Sequence, residues 1–183
     1  MAELNASDQL FAATEVRLAA VMKGQAPKDN DERLALAQRA YDTARFASAA
    51  RLWAEALEAD PKLAEGRETQ HCYNAACAAA LAGSGKAIDD PTPGDAAQAR
   101  LRQQALNWLK FELAAWSTLH QSGPPQANGA IAQTLRHWQE DTDLAGVRET
   151  EALQKLPGEE RKAWDALWAG VKDLLKKTQD TRP

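Results

Sequence analysis

Apolar residues recur three and four positions apart along most of the chain, and this spacing predicts a series of amphipathic helices. The pattern is clearest within residues 32–61, in two stripes formed by Leu34, Ala37, Tyr41, Ala49, Leu52, Trp53, Ala56 and Leu57. A tight break around Ala44 and Arg45 separates the two stripes. Because helices joined so closely pack side by side in opposite directions, the segment is predicted to form a helical hairpin.

The same spacing predicts helices before and after this hairpin. They cover residues 6–23, 61–82 with a loosening at Gly66, 96–121, 126–139, 150–156 and 159–177. Residues 83–95 are rich in Gly, Pro and Asp and are predicted to form an exposed loop inserted between two helices. Ala and Leu dominate the composition while Val and Ile are scarce, which favours helices over sheets. The chain is therefore predicted to be all-α, with about seven or eight helices.

A single domain is expected over the whole chain, because 183 residues are enough for one sizeable core. We divide it into an N-terminal helix and linker at 1–28, two hairpins at 29–121 that include the loop 83–95, and a C-terminal helical cap and tail at 122–183. Asp29 and Glu32 have the spacing of a capping box, which marks the start of the first hairpin.

Charge and cysteine content narrow the range of partners. The formal net charge is -4 and basic residues alternate with acidic ones, so no nucleic-acid partner is expected. No apolar run approaches the length that a bilayer requires, so no membrane partner is expected either. The N-terminal residues lack the order of a signal peptide. Because Cys72 and Cys77 do not face each other on their helix, they fit a reducing compartment, and a cytoplasmic location is predicted.

Two short motifs resemble ligand-binding loops, but each lacks residues that binding of the ligand requires. Residues 83–87 (GSGKA) follow a helix, and Ala87 stands where a phosphate loop needs a hydroxyl. Residues 141–146 (DTDLAG) have Ala145 and Ala152 where a calcium loop needs oxygen ligands. A flexible loop and a turn with capping acids are the favoured interpretations.

The remaining chemistry-bearing residues also favour a structural role. His71, Cys72 and Cys77 lack the three- or four-residue spacing of helical metal ligands, and Cys77 is interpreted as a small core residue. The six tryptophans fall at helical spacing and are predicted to pack in the core. We therefore predict no catalytic residue, no metal site, no cofactor and no enzymatic activity.

Small residues, the aromatic Phe46 and the closing Pro61 occupy the positions that they have in a tetratricopeptide repeat, and the hairpin resembles that family. Four strings extend the likeness: YDTARFASAARLWAEALEADPKLAE, YNAACAAALAG, TLRHWQEDTDLAGVRE and LPGEERKAWDALWAGVKDLL. Together they resemble regions C-terminal to serine/threonine protein kinase domains in planctomycete-type bacteria. The resemblance covers residues 30–178 and implies a right-handed array of helical hairpins that binds proteins. Ala44 replaces the usual turn Gly, so an irregular array is expected.

In such arrays the first helix of each hairpin lines a concave groove, by resemblance. The implied groove residues are Leu34, Gln38, Tyr41, Tyr73, Asn74 and Cys77. Asn74 matches the subclass that clamps a terminal carboxylate, but Leu34 and Gln38 replace the other clamp residues. An amphipathic or extended segment of a partner protein is therefore expected, unless the N-terminal helix fills the groove. The alternative function is a structural or dimerisation module without a separate ligand. The identity of the partner and the oligomeric state remain open at this point.

Overall fold

A computed structural model describes the backbone of residues 6–180 and the side chains of residues 9–180. The α-helices are α1 (Ala6–Met22), α2 (Asn30–Asp42), α3 (Phe46–Ala59), α4 (His71–Gly83), α5 (Asp95–Ser122), α6 (Ala127–Glu140), α7 (Thr150–Leu153) and α8 (Gly158–Asp180). Two 3-10 helices, Pro61–Glu65 and Thr142–Val147, join them, and we call the second one the closing turn. No strand occurs within residues 6–180, so the predicted all-helical class is confirmed.

The predicted first hairpin is present as α2 and α3. Asn30, at the start of α2, donates its side-chain amide to the Ala56 carbonyl near the end of α3, over 3.1 Å, so the two helices are antiparallel. Asp29 caps α2 by accepting the Glu32 backbone N–H at 2.8 Å, as the capping-box spacing predicted. Ala44 turns the chain in a left-handed conformation, with φ of 56°.

The second hairpin, α4 and α5, begins later than the sequence suggested. The helix predicted over 61–82 is interrupted at Gly66, where a loosening was predicted, but the interruption is longer: the chain forms the short 3-10 helix, then leaves helical geometry between Gly66 and Gln70. Gly66 adopts an extended backbone and Gln70 is left-handed, with φ of 51°. Glycine is a weak helix former, which disfavours a helix through Gly66. The next residue, Arg67, forms an ion pair with Glu112 of α5 at 3.0 Å. The linker is therefore held out of the helix by a contact that is distant in sequence.

The loop between α4 and α5 is tied to the first hairpin. Ile88 donates its backbone N–H to the Ala44 carbonyl over 3.0 Å. Asp89, only 7% exposed, accepts the backbone N–H groups of Ala47 at 3.0 Å and Ser48 at 2.8 Å. Lys86 and Ile88 are exposed, but Asp89 is not, so the loop is only partly the exposed insertion that its composition predicted.

The C-terminal helices pack on the second hairpin. Helices α6 and α8 pack together and against α5, and the closing turn packs on α4. Leu144 and Val147 of the closing turn are completely buried. The tryptophans lie in the core or against it, as predicted: Trp53, Trp116, Trp138, Trp164 and Trp168 are buried, and Trp108 is half-buried. The closing turn thus belongs to the same core as the two hairpins.

Helix α1 lies on the outer side of α2. Arg17 pairs with Glu32 at 2.8 Å, and Arg39 pairs with Glu15 at 2.9 Å. Leu18 and Val21 supply its buried apolar contacts. No helix within residues 6–180 combines the length and the apolar character that spanning a bilayer requires.

Candidate functional site

The first helices of the two hairpins line a cleft of about 170 Å³. Its lining residues are Gln38, Tyr41, Trp53, Gln70, Tyr73, Asn74, Cys77, His137, Asp141 and Asp143. The structure therefore brings together five of the six residues that the resemblance assigned to a groove. The sixth, Leu34, does not line the cleft and packs half-buried against the core.

The other side of the cleft comes from the end of α6 and the closing turn. Tyr73 donates its hydroxyl to Asp141 Oδ2 at 2.7 Å, and Tyr41 donates its hydroxyl to Asp143 Oδ2. Tyr73 also stacks on Trp138 of α6, with ring centroids 5.4 Å apart. The cleft is thus closed on one side by the closing turn, and α1 contributes none of the lining residues.

Sequence reasoning missed half of the lining residues as members of this site: Trp53, Gln70, His137, Asp141 and Asp143. It did identify the two acids as turn and capping residues, and Asp141 indeed caps the closing turn by accepting the Asp143 N–H at 2.9 Å. No sequence pattern near these two acids indicates that they lie opposite Tyr41 and Tyr73, because the contacts join residues that are far apart in the chain.

The phenols and the thiol in the cleft are held in their neutral forms. Burial, then the hydrogen bond to Asp143, raises the pKa of Tyr41. Burial raises the pKa of Tyr73, and the hydrogen bond to the negatively charged Asp141 carboxylate adds to this effect. Burial, then the two aspartates, raises the pKa of the Cys77 thiol well above its ordinary value. Because a nucleophilic cysteine needs a lowered pKa, Cys77 lacks the surroundings of a catalytic thiol.

One group of metal-ligating atoms lies in the cleft. The ligand atoms of Cys77, Asp141 and Asp143 lie within 4.8 Å of one another. Both carboxylates already accept a tyrosine hydroxyl, and the thiol is held protonated by its surroundings. The tyrosine hydroxyls and the contact of the Cys77 thiol with Asp141 account for the proximity of these three residues without a metal ion.

One strong cation lies near the two carboxylates: Arg148 donates to the Asp141 backbone carbonyl at 2.7 Å and forms an ion pair with Glu149. Within residues 9–180 neither Asp141 nor Asp143 pairs with a Lys or Arg side chain. His137 Nε2 lies 3.4 Å from Asp141 Oδ2, and the Asp141 side chain is only 13% exposed. The cleft is therefore a small acidic concavity with aromatic walls.

Comparison with known proteins adds no assignment: no family model, no curated protein and no solved structure matches the chain. The site has to be interpreted from its own residues.

Proposed function

We propose that this chain is a non-catalytic protein-interaction module of the tetratricopeptide type, associated with bacterial serine/threonine kinase signalling. One observation carries the proposal: α2 and α4, the first helices of successive hairpins, line one cleft with amides and phenols. A face that served packing alone would favour Leu and Ala, whereas amides and phenols make adaptable contacts. The repeat architecture, its right-handed course and the kinase association rest on the sequence resemblance.

The charge of the cleft favours a basic partner segment. Asp141 and Asp143 lie in the cleft, and the whole chain has a formal net charge of -4. Complementary charge speeds association and selects partners, and its effect is screened by salt. We therefore propose that binding weakens as ionic strength rises. A cytoplasmic site of action belongs to the same proposal and is supported by two free cysteines.

The test compares two substitutions in the cleft with a control on another surface. A partner is first captured from native lysate, identified and purified. Its affinity is then measured for Gln38→Ala and Asn74→Ala, and for the control Gln133→Ala on the exposed face of α6. Both cleft variants should weaken binding at least fivefold, while the control binds as wild type. All three variants must keep the wild-type helical circular dichroism, and unchanged binding by both cleft variants would refute the assignment.

A second candidate function, a structural module without a ligand, has one observation in its favour. The closing turn occupies the concave side, and its Leu144 and Val147 are completely buried. A face that is covered by a segment of the same chain stabilises the fold and does not need a partner. This alternative predicts self-association in light scattering, and it predicts that any captured protein binds equally to Asn74→Ala.

A further inference from the structure

Several polar groups that line the cleft have unused hydrogen-bonding capacity. Within the described side chains, the amides of Gln70 and Asn74 make no hydrogen bond. The Asp143 carboxylate accepts the Tyr41 hydroxyl, although a carboxylate offers about four acceptor positions. The cleft therefore has free oxygens from amides and from a carboxylate at the same place.

These oxygens face a space with no strong cation. No Lys or Arg side chain lines the cleft. His137, which is a lining residue, lies 3.4 Å from Asp141 Oδ2, and its ring centroid lies 5.8 Å from that of Tyr73. A partly buried carboxylate is more stable when a cation is paired with it. A cationic group that entered the cleft would gain both charge pairing and the unused acceptors.

The walls and the size of the cleft restrict the shape of that group. Tyr41, Tyr73 and Trp53 are among the lining residues, and aromatic rings attract cations. A volume of about 170 Å³ accommodates the end of one side chain. The chain already contains such an arrangement, since Arg67 lies 4.5 Å from the Trp116 ring centroid and pairs with Glu112.

We propose that the cleft binds the guanidinium group of one arginine in a partner segment, an inference that rests on the proposed function. Guanidinium has five N–H donors in a flat fork, which matches several oxygen acceptors at once and stacks on aromatic rings. The lysine ammonium is a compact, strongly hydrated charge and uses fewer of these contacts. The partner is thereby defined as a segment with an exposed arginine.

The experiment titrates the ¹⁵N-labelled full chain with three capped tripeptides, Gly-Arg-Gly, Gly-Lys-Gly and Gly-citrulline-Gly, and follows nuclear magnetic resonance shifts. Citrulline keeps the shape of arginine without its charge. The arginine peptide should shift the side-chain amides of Gln70 and Asn74, the lysine peptide should bind at least fivefold more weakly, and citrulline should not bind. Asp143→Asn, which retains an acceptor for Tyr41, should weaken arginine binding at least tenfold. The matched control Asp165→Asn, exposed on α8, should bind as wild type.

Three results would overturn the inference: equal binding of arginine and citrulline, shifts confined to other surfaces, or unchanged binding by Asp143→Asn. A parallel titration with ZnCl₂ addresses the cluster of Cys77, Asp141 and Asp143. A one-to-one zinc complex that prevents arginine binding would make the cleft a metal site and refute the proposal. If Asp143→Asn fails to fold, Asn74→Ala replaces it and must weaken arginine binding in the same assay.

The two proposals fail in different ways. If cleft substitutions abolish partner binding but the peptides are not discriminated, the interaction module stands and arginine recognition is wrong. If arginine is discriminated but no identified partner depends on Asn74, arginine recognition stands and the interaction function is wrong.

Discussion

Replacing Asp89 by Ala should destabilise the chain far more than replacing its neighbour Asp90. Helix α3 begins after Arg45, which provides no side-chain cap, so Asp89 from the distant loop supplies the missing acceptor. Its carboxylate accepts two backbone N–H groups and the Ser48 hydroxyl, the last at 2.5 Å. Capping residues contribute about 0.5–2 kcal/mol, and a hydrogen bond to a charged group about 1.5–3 kcal/mol.

These contributions share one carboxylate and do not add, so we expect a loss of about 2–3 kcal/mol. For a chain of this size the melting temperature should fall by about 4–12 °C, as measured by circular dichroism or calorimetry. Asp90→Ala, an exposed control, should change the free energy of unfolding by less than about 0.5 kcal/mol. Hydrogen exchange should also accelerate at the amides of Ala47 and Ser48. Equal melting of the two variants would refute the capping role of the loop.

Three further predictions follow from the hairpin and from α1. Ala44→Gly should raise stability by about 0.5–1 kcal/mol, because the left-handed backbone at φ 56° costs alanine more than glycine, and a lower melting temperature would contradict this. Ala49→Leu should cost about 1–3 kcal/mol by overpacking a fully buried position, so melting at the wild-type temperature would be inconsistent with the hairpin packing. Hydrogen bonds from Arg17, then from the Lys28 N–H, lower the pKa of Glu32 from 4.5 to about 2. The resulting stabilisation should be present above pH 4.5 and disappear as the pH falls towards 2. The melting temperature of Arg17→Gln should therefore fall less on acidification than that of the wild type.

The elements that the sequence predicted well are those set by local spacing. The hairpin of α2 and α3 was predictable because apolar periodicity, a short break and the cap at Asp29 all lie within a few residues of one another. The long helix α5 and the last helix α8 were predictable for the same reason, since apolar residues recur at helical spacing along each of them.

The features that escaped prediction depend on contacts between distant residues. Nothing within the loop composition shows that Asp89 caps α3, because an acidic residue in a Gly- and Pro-rich segment usually faces solvent. The segment before α4 carries the ion pair of Arg67 with Glu112 of α5, and apolar periodicity does not encode that pair.

The same distinction between local spacing and distant contacts applies to the candidate site. Its α2 and α4 residues were found through the family resemblance, which places first helices on one face. The residues from the C-terminal half were not found, because Asp141 meets Tyr73 only through the packing of α6 and the closing turn. A sequence pattern for that half of the cleft would require aligned relatives in which such pairs change together.

Hydrogen exchange of the full chain, with and without its purified partner, tests the central claim most directly. We predict slower exchange in residues 34–42 of α2, in residues 70–77 at the start of α4, and in the closing turn. Protection in these three segments together is expected because they surround one cleft. Protection confined to α5, α8 or the loop 84–94, with these segments unchanged, would contradict the account and assign the partner to another surface.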